Sequence, residues 1–164
     1  MRKFVNIIML IGMLIFSTNV FAVQTANQLV TFTIGAANEI SIAGDPGLLE
    51  ILAPAAGEDP VPVTDNSTSI SYSTNSSNKK ITGQLSTDMP TGVSLQVHIA
   101  SPGGAQGLSQ GHQNLTSSLA ANLVTGISKA IVQNATITYT LSATLDADPT
   151  DNASRTVTFT MTSD

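Results

Sequence analysis

Apolar side chains recur at every second position through most of this chain, and no other feature restricts its fold as strongly. Val93, Leu95, Val97 and Ile99 alternate with Ser94, Gln96, His98 and Ala100. Ile137, Tyr139, Leu141, Ala143 and Leu145 alternate with threonines and Ser142, and Val157, Phe159 and Met161 alternate with threonines alone. Val30, Phe32 and Ile34 do the same around Thr31 and Thr33, Ile40 and Ile42 continue the pattern, and Ile70 and Tyr72 alternate with serines. Lys79 to Leu85 starts another strand through Ile81 and Leu85. A strand turns successive residues to opposite faces, so each segment has one apolar and one wet face. Antiparallel sheets tolerate a wet face, whereas parallel sheets are buried on both. About seven to nine such segments, separated by turns, predict an all-β fold, an antiparallel immunoglobulin-like β-sandwich.

The intervening segments are read by their turn chemistry. Gly44-Asp45-Pro46-Gly47 is a turn, because proline presets φ and glycine accepts φ > 0. Residues 48–52 form a short strand candidate, and residues 53–66, with three prolines, read as a loop or irregular edge. Residues 101–114 carry four glycines and read as irregular. Leu115, Leu119 and Leu123 recur at helical spacing and suggest a short helical turn. The strands at 137–145 and 157–161 are expected to pair as a hairpin across residues 146–154.

The beginning of the chain points to export. Arg2 and Lys3 precede an apolar run at residues 5–16, and Val20-Phe21-Ala22 suits a cleavage site. A signal peptide at 1–22 and a single domain at 23–164 are therefore expected. The location would be periplasmic, cell-surface or extracellular. The apolar run is shorter than the ~20 residues of a spanning helix, so no stable membrane span remains after cleavage. Without Arg2 and Lys3 the chain has four basic and eleven acidic residues, a net of −7. Nucleic acid is disfavoured as a partner, because phosphate contacts need clustered Lys and Arg. There is no cysteine, so stability must come from an ordinary core.

Candidate chemistry is sparse. Gly107-Leu108-Ser109-Gln110-Gly111 matches the nucleophile-elbow pattern, but that motif needs a strand before it, a helix after it, and an acid then a histidine further on. Only His112 follows, so no enzyme is expected. His98 and His112 lack the spacing of a zinc site. Asp146, Asp148 and Asp151 put oxygen donors in one loop, of the kind calcium takes. A glycan site would need exposed aromatic faces, and Phe32, Tyr72, Tyr139 and Phe159 all fall on faces expected to point inward. No cofactor is expected.

Sheet edges remain. Residues 23–34 form an uncharged, proline-free segment with apolar knobs at period two, and such a strand can pair at home or complete a neighbour's sheet. An alternating strand at 29–34 directly after a signal, a Thr- and Asn-rich stretch leading into Lys79-Lys80-Ile81, and a terminal alternating strand at 155–162 carry a resemblance. The layout resembles the cysteine-free fimbrial major subunits of the colonisation-factor type, assembled by a chaperone–usher pathway. That resemblance implies a non-enzymatic structural or adhesive surface protein whose partners are copies of itself or other surface subunits. It assigns Val30, Phe32 and Ile34 as the assembly strand. The other expectation is a self-contained exported module binding a glycan or calcium.

Overall fold

The computed structural model describes residues 25–164. The proposed signal peptide, residues 1–22, lies outside the described residues. The chain divides into two compact units, residues 1–33 and 34–164. Within the first, the described residues 25–33 carry no helix or strand.

The second unit is all-β and consists of two antiparallel sheets over one apolar core. Its strands are β1 (Asn38–Ala43), β2 (Val63–Thr74), β3 (Lys79–Leu85), β4 (Val93–Ile99), β5 (Leu108–Ser109), β6 (Gln113–Asn114), β7 (Ala121–Ile127), β8 (Ile131–Ala143) and β9 (Val157–Ser163). One sheet has the order β1-β2-β8-β4-β6 and the other β5-β7-β3-β9. The alternation does what period two demands. Ile70 and Tyr72 of β2, Val97 and Ile99 of β4, and Ile137 and Tyr139 of β8 are buried against Ile81 of β3 and Leu123 and Val124 of β7. Burying a large aliphatic side chain contributes about 1.5–3 kcal/mol, so this layer supplies the main driving force for folding.

Several expectations are corrected. Residues 137–145 and 157–161 do not form a hairpin, because β8 pairs with β2 and β4 whereas β9 pairs with β3 in the other sheet. The long polar segment 144–156 is what lets the chain cross between sheets instead of folding straight back. Residues 30–34 and 48–52 are not strands, and residues 63–66, expected in a loop, begin β2. No helix forms at Leu115–Leu123; Leu115 and Leu123 are core residues, Leu119 is exposed, and β7 follows. Tyr72 and Tyr139 are buried as expected and Phe159 is half-buried, but Phe32 is exposed.

β7 lacked a period-two signal because it is bulged. Its register against β3 shifts between Lys79 and Ile81 and again between Ile81 and Thr82, so Leu123 and Val124 are both buried although adjacent. Gly126, at φ 70°, takes a conformation that side-chain-bearing residues avoid.

Candidate functional site

The two sides of the layered body differ. On one side the chain seals the gap between the sheets. β5 belongs to one sheet and β6 to the other, and the segment between them crosses from sheet to sheet. Gln110 N–H donates to Leu123 O (2.9 Å), Leu115 N–H to Leu95 O (3.0 Å), and Leu85 N–H to Thr116 O (3.0 Å), which stitches this crossing down and buries Leu115.

The opposite side is open. β1 is the last strand of one sheet and β9 of the other, and they lie beside each other across the gap. Ile40 and Ile42 stand opposite the buried Tyr72 and Ile70 of β2, so they point to the same interior. Val157, Phe159 and Met161 stand opposite the buried Leu85, Gly83 and Ile81 of β3. None of these five reaches full burial, and Ile42 is 43% exposed. They are core-facing residues that stay partly exposed.

The backbone edges of this seam are also uncovered. Among the described residues β9 pairs only with β3, and β1 only with β2. Natural edges are usually blunted with charge, proline or a bulge. β9 (VTFTMTS) contains neither charge nor proline, and β1 (NEISIA) carries only Glu39. Such a seam can accept an extended chain that hydrogen-bonds along an edge and drops every second side chain inward.

The residues assigned to the assembly strand have the matching character. Val30, Phe32 and Ile34 are 71%, 78% and 77% exposed and lie in no strand. Residues 35–37 are held to the body by Asn75, which donates from Nδ2 to Gly35 O (2.7 Å), accepts at Oδ1 from Ala37 N–H (2.9 Å) and donates its backbone N–H to Ala37 O (3.2 Å). Alternation alone could not have distinguished these exposed knobs from those of a core strand.

The other candidates are not assembled into sites. Ser109 lies in a two-residue strand with no helix after it, and its Oγ accepts Gly111 N–H at 3.3 Å. His112 instead stacks on His98, ring centroids 4.9 Å apart and planes at 30°. Sequence reasoning treated these two imidazoles as separate; the turn between β5 and β6 brings them together. Burial, and then the neighbouring His112, push the His98 pKa down from its ordinary value. Among the described residues no group of three or more His, Cys, Asp or Glu side chains is placed to hold a metal ion, so Asp146, Asp148 and Asp151 are not gathered around one point. The buried tyrosines are structural. The Tyr72 hydroxyl donates to Gln106 O at 2.7 Å, and burial raises the pKa of both Tyr72 and Tyr139. No described helix is long and apolar enough to cross a membrane.

No family model, curated protein or solved structure matches this chain.

Proposed function

We propose that the chain is an exported, non-enzymatic structural subunit of a surface fibre, built by adding residues 29–34 of one copy as a strand to the β1/β9 seam of the next. The added strand would complete an immunoglobulin-like sandwich. The observation that carries this reading is the pairing of opposites in one molecule. A seam whose two edges carry no charge but Glu39 leaves five core-facing apolar residues partly exposed, while an uncharged segment with three apolar knobs at period two stands exposed. Because the donor segment and the seam belong to different surfaces, the contact is heterologous and does not close, which is the geometry of a fibre. The apolar run at residues 5–16, read as an export signal, supports delivery outside the cytoplasm.

The test uses the mature chain, residues 23–164, carrying Val30→Ser, Phe32→Ser and Ile34→Ser together. These side chains are exposed, so the variant should fold, and it should remain monomeric where the parent assembles. A peptide of residues 23–34 should bind the variant and raise its melting temperature by roughly 5 °C or more at saturation, through burial of three apolar side chains. A peptide with the same three serines should leave the melting temperature unchanged. Equal assembly of variant and parent, or no response to the unaltered peptide, would refute strand addition.

A further inference from the structure

The chain has two histidines, and the fold puts them side by side. Val97 and Ile99 of β4 are buried, so His98 between them stands on the outer face of its sheet. β6 pairs with β4 through Gln96–Asn114 and Val97–Gln113, and one more step of that register sets His98 opposite His112. Directly opposed residues on one face have Cβ atoms about 4.5–5.5 Å apart, so their side chains can meet. These two do, with ring centroids 4.9 Å apart. His98 is half-buried and His112 is exposed, which leaves the pair open to solvent.

A shared metal ion asks for this separation. Zinc binds an imidazole nitrogen at about 2.0–2.1 Å, and that nitrogen lies about 1.1 Å from its ring centroid, so the centroid stands about 3.2 Å from the ion. Two imidazoles meeting at the ion at about 90–109° then have centroids about 4.5–5.2 Å apart. The observed 4.9 Å lies inside that range. Turning each ring about χ2 aims one nitrogen at a common point without moving the backbone.

The surroundings suit such an ion. Gln110 Nε2 donates to Thr125 Oγ1 (2.9 Å) and Gln113 Nε2 to Gln110 O (2.6 Å), so the turn that carries His112 is tied down on both sides. A ligand held in place beforehand loses less entropy on binding. β4, the neighbouring β8 and residues 108–114 contain no Lys or Arg that would repel a cation. They contain no Asp or Glu either, so the charge-free donors are imidazole nitrogens. Such donors suit Cu2+, Ni2+ and Zn2+, whereas Ca2+ and Mg2+ take oxygen.

We propose that His98 and His112 together chelate one divalent transition-metal ion, Cu2+ most tightly, with water in its remaining positions. Two protein donors are fewer than the four of a structural zinc site, so the site is open and the fold does not depend on it. The ion acts as a clip. It joins β4 to the two-residue β6 and so pins the crossing that seals this side of the body. The two histidines come together only through the β4–β6 pairing, so binding favours the folded state. Strand addition is not required, because β1 and β9 take no part in the pair.

The test uses the mature chain, residues 23–164, without a histidine tag. Cu2+ should raise its melting temperature by about 5 °C or more at a free concentration about a hundred times Kd, and a chelator should reverse the rise. Ni2+ and Zn2+ should act at higher concentrations, and Ca2+ and Mg2+ should have no effect. His98→Gln and His112→Gln should each abolish the rise while leaving the metal-free protein folded, since neither ring lies in the core. The two histidines also supply every imidazole C–H resonance of the mature chain, and Cu2+ far below equimolar amounts should broaden both together. A melting temperature that does not rise with Cu2+, a rise retained in either variant, or broadening of one imidazole alone overturns the site.

Discussion

Two residues show how the interior constrains substitution and pH response. A Cβ added at Gly83 would lie 2.8 Å from Leu123 Cδ1 and 3.4 Å from Leu115 Cδ2, and both leucines are buried. Gly83→Ala should therefore lower stability by about 1–3 kcal/mol through overpacking, measured by urea unfolding, although alanine is the smallest possible change. His98 has its pKa lowered in the folded state, so folding favours the neutral ring. Its contribution is complete above the unfolded value of 6.5 and is lost as pH falls from there through the folded value. The parent's urea midpoint should drop between pH 7.5 and pH 5 more than that of His98→Gln; equal drops would show that the His98–His112 stack carries no linkage. The carboxylates of Asp65 and Asp88, held low by hydrogen bonds involving Ser67 and Ser117, respond only below their ordinary 3.8 and leave this window clear.

Within single elements, irregularity decides more than propensity does. β7 passes the register shift between Ile127 and Val124 with Gly126 at φ 70°. A Cβ there meets nothing within 4 Å, so its cost is conformational alone. Gly126→Val should destabilise by about 1–2 kcal/mol, whereas Gly126→Asn should lose clearly less, since asparagine tolerates the left-handed region. Calorimetric melting of the two variants checks the difference, and equal losses would place the cost elsewhere. β8 uses asparagine in this way already: Asn134, at φ 53°, sits where the β2–β8 register slips between Ile70 and Tyr72, and its N–H bonds Ser71 Oγ at 3.0 Å.

For the whole molecule, the order of strands sets the kinetics. β2 pairs with β8 and β3 with β9, so the central pairings join segments far apart in sequence. Loop closure must precede these contacts, and refolding should take milliseconds to seconds rather than microseconds. Stopped-flow fluorescence of Tyr72 and Tyr139, both buried on folding, measures it. Microsecond refolding would mean that local structure, not these distant pairings, limits the rate.

Period-two patterning by itself established the all-β class, the extents of β3 and β4, and which face of β2, β8 and β9 is apolar, because the side-chain period of a strand is a local property. The uncharged, knobbed character of residues 29–34 was equally local and equally legible. Pairing is not local. Whether β8 and β9 form a hairpin or lie in different sheets depends on which edges compete for them, and the alternation is identical in both cases. The β1/β9 seam and the contact of His98 with His112 arise only when strands far apart in sequence are laid side by side. Val30, Phe32 and Ile34 make the same point. Their pattern is that of a core strand, yet they lie in no strand and are exposed.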